Sequence, residues 1–173
     1  NNKPARATIE AVYNQIIADL TDAAAKLPET ADAGRATKYS AEAFLSRVYM
    51  NMADYTNAAT MANDVIQSNN FTLTSTFDKA FNNDSYSSED IFGMLQSSQS
   101  NAGTTDNGLT TFYSPQPAGR GDAQVASGFS SHFTGNDFRG NFIYPGVSIS
   151  GFSGDYSGKW QDFYKTIPVV RLA

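Results

Sequence analysis

No cysteine occurs in the chain, which excludes a disulfide framework and any thiolate metal site while leaving the compartment open. A single histidine, His132, has no cysteine and no second imidazole to work with, so neither a zinc site nor a Ser-His-Asp arrangement has support and a surface or packing role is expected. Basic residues are scarce, 12 Lys and Arg against 17 Asp and Glu for a net charge of -5. The excess of cations that a phosphate backbone requires is missing, and nucleic acid is not an expected partner. No run of about 18 apolar residues is present, so no segment reads as a membrane-spanning helix. Residue 1 is Asn and no basic, apolar leader precedes the first helical pattern, which places any targeting signal outside this sequence. The apolar close at Pro168-Val-Val-Arg-Leu-Ala173 likewise reads as part of a longer protein.

What is present supports a core. The 173 residues are 40% hydrophobic and 13% aromatic, enough for one domain over 1–173. Composition divides it into a helical region, 1–96, and a loop-rich region, 97–173. The centre of the first is Arg35 to Phe71. Tyr39, Ala43, Leu45, Tyr49 and Met52 recur at three- and four-residue spacing with Val48 between them, one apolar stripe of a helix over 38–52. A second helix over 55–68 starts behind Asp54, whose carboxylate can accept from Thr56 or Asn57, and carries Ala58, Met61, Ala62, Val65 and Ile66. The short connection makes the two helices antiparallel neighbours. Ala43, Ser46, Ala53, Ala58, Ala59 and Ala62 permit close backbone approach, with Leu45, Tyr49 and Tyr55 filling gaps. Such a hairpin is tetratricopeptide-like: on the roughly 34-residue motif, Leu45, Ser46, Tyr49, Tyr55 and Ala58 take motif positions, whereas Glu42 replaces the tryptophan.

In chain order, Thr8 can cap a helix over 9–27 whose inner face is Ile9, Val12, Ile16, Leu20, Ala23, Ala24 and Leu27, and Pro28 ends it. Asp19 and Asp22 belong to its solvated face. Phe71 to Thr74 reads as extended, Phe77 and Phe81 as a short helical turn, Asn82 to Ser88 as a turn cluster, and Glu89 to Gln96 as a buried strand. From Ser97 the chain is mostly loop, yet too aromatic for disorder. One modest helix is expected over Asp122 to Phe133. Trp160 to Tyr164 is expected to pack before a last apolar element, Ile167 to Leu172.

The blocks TIEAVYNQIIADLTDAAAKLP, GRATKYSAEAFLSRVYMNMADYTNAATMANDVI, SSEDIFGMLQ and IPVVRLA, in this order and spacing, resemble the SusD/RagB family of cell-surface nutrient-binding lipoproteins. The resemblance implies a mainly α fold, with a tetratricopeptide-like hairpin packed against a loop-rich, aromatic-rich half that contains short strands. It also implies a non-catalytic protein at the outer membrane, exposed at the cell surface and held by a lipid anchor outside this chain. Its partners would be a SusC-like TonB-dependent transporter on the helical side and an oligosaccharide or polysaccharide on the loops. The first rival is a tetratricopeptide-type interaction scaffold without a small ligand.

Residue chemistry agrees with a binding role. Gly146-Val-Ser148-Ile-Ser150 lacks the last glycine of a nucleophile elbow, and no phosphate-binding glycine loop occurs. Glu89 and Asp90 are adjacent, which in a strand sends them to opposite faces, wrong for paired acid and base. Arg120-Gly-Asp122 matches an adhesion tripeptide, but three residues match by chance and an exposed turn is the expected reading. A sugar site needs aromatic faces plus amides, carboxylates and guanidinium groups in fixed directions. The candidates are Asn107, Phe112, Tyr113, Arg120, Asp122 and Trp160, with anchoring of the loops as their alternative role. No catalytic residue, metal ligand or cofactor is expected.

Overall fold

The computed structural model describes residues 5–97, 99, 108–162 and 164–172. Three helices come first, α1 over Ile9–Lys26, α2 over Lys38–Asn51 and α3 over Tyr55–Gln67, within a residue of the expected ends. Their starts are fixed by side chains. Thr8 Oγ1 accepts from the Ala11 N–H at 3.2 Å, and Asp54 Oδ1 accepts from the Asn57 N–H at 3.2 Å, satisfying donors that have no carbonyl in the first turn. At α2, Thr37 and Ser40 cap each other's backbone, at 3.2 and 3.1 Å. The turn from α2 to α3 places Ala53 in the left-handed region (φ 59°) and returns the Asp54 N–H to the Tyr49 carbonyl at 2.9 Å.

The hairpin is held by small residues, as the sequence implies. Ala43 and Ala58 are buried, and the Ser46 hydroxyl donates across the interface to the Ala58 carbonyl at 2.9 Å. Not every expected contact forms: Ala53 and Ala59 are exposed, Tyr55 lies mostly in solvent rather than filling a gap, and Met52 of the stripe is exposed. Both tyrosine and methionine sit at the open end of the hairpin, next to the turn, where no second layer covers them. α1 packs on α2 but buries none of its residues fully, and Ile9 and Val12 stay exposed.

Beneath the hairpin, β1 (Asp90–Met94) pairs antiparallel with β4 (Ile167–Arg171), Phe92 opposite Val170 and Met94 opposite Ile167. The expected strand at 89–96 and the last apolar element are therefore the two halves of one ribbon. It closes the core of Tyr39, Ala43, Val65, Ile91 and Val170, with Phe44, Phe71, Phe92 and Val169 packed around it. The Ser40 hydroxyl donates to the Ile91 carbonyl at 3.1 Å, tying α2 to β1. Phe71 to Thr74 joins no ladder; the Thr72 N–H goes to the Ser88 carbonyl at 2.9 Å and the Thr74 N–H to Glu89 Oε1 at 2.8 Å. A 3₁₀ turn at Phe77–Ala80 follows, as expected.

Between the two strands of the ribbon lies the loop-rich part. It contains a short helix α4 (Leu109–Tyr113) and a hairpin of β2 (Ile143–Val147) with β3 (Ser153–Ser157), neither expected from the sequence. The helix expected over 122–133 does not form; only Phe129–His132 makes a 3₁₀ turn, after Gly128 at φ 80°. Its backbone is committed elsewhere, because the Ala123 N–H binds the Phe112 carbonyl at 3.0 Å and the Val125 N–H binds the Asp155 carbonyl at 2.8 Å. Tyr156 is fully buried here, its hydroxyl accepting from Gln124 at 2.8 Å and donating to the Phe152 carbonyl at 3.2 Å.

Leu45 is 3% exposed, so Leu45→Asp places an unpaired carboxylate in a packed interface. The expected loss is on the order of 3 kcal/mol or more, much of the margin of a typical domain, read as a collapse of the melting temperature. Glu42, at the position where the repeat motif has tryptophan, is 7% exposed, and among the described residues its Oε2 has no hydrogen-bond partner. Burial raises its pKa above the usual 4.5, outweighing Lys38 at 3.8 Å, with Asp64 and Glu29 adding like charge. The folded state therefore holds this proton more tightly than the unfolded one, and the group's contribution to stability falls as pH rises through and above 4.5. Glu42→Gln is expected to raise the melting temperature at pH ~7 and to lose that advantage below pH ~4, as followed by thermal scans across pH.

Candidate functional site

α4 organises the region that holds most of the candidate residues. Two hydroxyls on it reach across the chain: Thr110 donates to the Asp162 carbonyl at 3.2 Å, and fully buried Ser114, just past the helix, donates to the Trp160 carbonyl. These bonds hold 160–162 against α4, and the Trp160 indole consequently lies 5.0 Å from the Tyr113 ring, tilted by 44°. Tyr113 is exposed and Trp160 half-buried, so the pair offers aromatic surface to solvent.

Arg120 and Asp122 form a second pair. Arg120 Nε lies 3.2 Å from Asp122 Oδ2, across Gly121, whose φ of +67° and close neighbours Tyr156 and Ser148 leave no room for a side chain. The Arg120 N–H binds the Thr111 carbonyl at 2.7 Å and its own carbonyl accepts from the Ile149 N–H at 2.7 Å, which pins the tripeptide between α4 and the β2–β3 hairpin. Gly119 is fixed by contact: a Cβ there would meet the Thr110 carbonyl and, at 2.6 Å, that of Ser114.

Trp160 borders a cavity of about 330 Å³, Asp122 one of about 320 Å³ shared with Gln124 and Phe152, and Arg120 one of about 210 Å³ beside Pro117. The structure thus joins Tyr113 to Trp160 and Arg120 to Asp122. Phe112 is half-buried and fixed through its carbonyl, and Asn107 lies outside the described residues. Sequence reasoning missed Thr110 and Ser114, whose types are common in this half and carry no signal by themselves. It also missed Phe129, Phe133 and Lys159, which share the cavity of Trp160.

Glu89 and Asp90 are used by the fold. Glu89 accepts from the Thr74 backbone and hydroxyl, at 2.8 and 2.7 Å, and pairs with Arg171 at 3.3 Å. Asp90 accepts from the Ser87 N–H at 2.7 Å; burial nevertheless raises its pKa, against that bond. Both are nearly inaccessible. His132 is exposed, its ring 6.1 Å from that of Phe129. Among the described residues no group of three or more His, Asp or Glu could hold a metal ion, and no helix is long and apolar enough to cross a membrane.

Trp160 is the sole tryptophan, so its emission reports on this site alone. Ser114→Ala removes the hydroxyl that holds the Trp160 carbonyl, and is expected to cost about 1–2 kcal/mol. A red-shifted emission maximum with a lowered melting temperature is the result that fits; an unchanged spectrum would show that the indole is held by other contacts.

Residues 1–50 match the SusD-like_3 family model, described as starch-binding associating with outer membrane. No curated protein sequence matches the chain. Among solved structures, a SusD superfamily protein from Bacteroides vulgatus ATCC 8482 superposes with a TM-score of 0.80 at 22% identity, covering 98% of this chain and 40% of that one. A laminarin binding SusD-like protein gives 0.82 at 19% identity, covering 96% and 48%. Surface glycan-binding protein A from Bacteroides thetaiotaomicron, in complex with laminarihexaose, gives 0.74 at 17%, covering 95% and 48%. This chain spans less than half the length of the structures it matches. The family match is confined to residues 1–50, and along nearly the whole chain what is shared with these SusD-like structures is the mainly α fold.

Proposed function

We propose that this chain is part of a single SusD-like domain in a non-catalytic, cell-surface glycan-binding protein that delivers its ligand to a SusC-like TonB-dependent transporter. The reading places the protein at the outer membrane, with a lipid anchor beyond the present sequence. The observation that carries it is the Tyr113 and Trp160 pair, a tilted aromatic platform open to solvent and held from behind by Ser114 and Thr110. Such a surface suits the apolar face of a sugar ring. Arg120, Asp122 and Phe112 are proposed as further ligand contacts, and Asn107 is kept as a candidate on its residue type alone. The likeness to structures described as laminarin-binding or bound to laminarihexaose supports the ligand class.

The absence of catalysis rests on Glu89 and Asp90, the adjacent carboxylates, being tied into the junction of the ribbon with the Phe71 segment. The helical side is assigned to the transporter because α1 keeps apolar residues, Ile9 and Val12, at its surface.

In the full-length protein, Tyr113→Ala or Trp160→Ala is expected to lower retention on a glycan affinity gel about fivefold, since stacking on an aromatic side chain contributes roughly 1 kcal/mol. Neutral-glycan binding should be weak and respond little to salt. Neither substitution should weaken co-purification with the transporter. Retention unchanged in both variants, with the fold intact, removes the site assignment. Binding of a peptide but of no glycan would instead establish the interaction scaffold.

A further inference from the structure

The cavity beside Trp160 has a chemistry that a neutral sugar does not use. Its volume of about 330 Å³ lies at the lower end of small-ligand sites, roughly 300–1,000 Å³, so it accommodates a single ring or two rather than a long chain. Phe77, Phe129, Phe133, Phe142 and Lys159 line it with Trp160. The phenylalanines meet edge to face, Phe77 on Phe142 at 5.1 Å and Phe129 on Phe133 at 5.3 Å, and this fixes the apolar walls in place.

Two cations border this space, and they differ in their partners. Arg139 is forked onto Asp137, with bonds of 2.9 and 2.6 Å, so its charge is met within the chain. Lys159 is half-buried with its ammonium 5.0 Å from the centre of the Phe81 ring and 5.8 Å from that of Phe77, and among the described residues no carboxylate pairs with it. Burial lowers its pKa, and the charge that acts on it is another cation, Arg171, itself bound to Glu89 at 3.3 Å. Ring faces compensate an ammonium only in part. An anion delivered by a ligand would complete the pairing, and a charge-assisted bond is stronger than one to a hydroxyl.

We propose that this cavity is a subsite for an acidic sugar, its carboxylate or sulfate on Lys159 Nζ and its ring against Trp160 and the phenylalanine walls. The inference rests on the glycan-binding reading above and narrows the ligand from glycans in general to anionic ones.

The test is calorimetry on the full-length protein with trigalacturonate, a sulfated galactose trisaccharide, the neutral galactose trisaccharide and laminarihexaose. One or both charged trisaccharides should bind about tenfold more tightly than the neutral one, the scale of one charge-assisted hydrogen bond, and the preference should shrink as salt is raised. Whichever charged sugar carries the preference separates carboxylate from sulfate. Lys159→Met keeps the aliphatic stem and should bring the ratio of charged to neutral affinity close to one, while Lys159→Arg should restore most of it. Should Lys159→Met fail to fold, the Lys159→Arg variant and the salt dependence of the parent decide. No charged-over-neutral preference in the parent, or a preference that survives Lys159→Met, overturns the proposal. If a neutral glycan binds in that case, the glycan reading stands without it; if none of the four sugars binds, the acidic subsite fails and the affinity-gel retention described above decides the glycan reading.

Discussion

The pairing of β1 with β4 is the constraint on which the rest of the structure depends. It brings residues 90–94 against 167–171, so the whole loop-rich half leaves the helical hairpin and returns to it at adjacent strands. Closing a loop of that length costs chain entropy, though the cost grows only slowly with length. What offsets it is concentrated at the closure: Ile91 and Val170 are buried in the hairpin's core, and Glu89 binds both Arg171 and the Thr74 segment. Removing Glu89 would strand the Arg171 charge over the Phe81 ring and free the Phe71 segment together. The acidic residue is therefore a structural clasp.

Within the excursion, order comes from backbone-directed side chains more than from regular structure. Thr110 and Ser114 bind carbonyls 52 and 46 residues away, and Gln124 reaches the buried Tyr156 hydroxyl. Thr110, Ser114 and Tyr156 are all buried, where a hydroxyl left without any partner would cost about 1–3 kcal/mol. An aromatic site on loops can be as well placed as one on helices when its supports are of this kind.

These two modes of construction explain what could be read in advance. The helices were legible because apolar spacing, the Thr8 and Asp54 caps and Pro28 are local signals that agree with the packing. The exceptions include Met52 and Tyr55, next to the turn, and Ile9, Val12 and Ile66, which keep the apolar period but stay exposed. Spacing misled over 122–133: Phe129 and Phe133 stand four apart as in a helix, yet their rings line a cavity, and Gly128 with the bonds of Ala123 and Val125 breaks the pattern. The β2–β3 hairpin was hidden by Pro145 and Gly146 in its first strand, residues that usually argue against one. In the candidate site, aromatic type pointed to Tyr113 and Trp160, but their contact is made by hydroxyls distant in sequence. Lys159 gave no signal, since a lysine's missing partner is visible only in three dimensions.

Because the excursion departs and returns at neighbouring strands, its interior is topologically separate from the frame. Lengthening a loop or exchanging the β2–β3 hairpin would leave the β1–β4 register and the α2–α3 interface unaltered, so the loop-rich half can vary while the frame stays fixed. One helical chassis can thereby carry many different loop surfaces, with change tolerated least at the clasp and at buried anchors such as Ser114 and Tyr156.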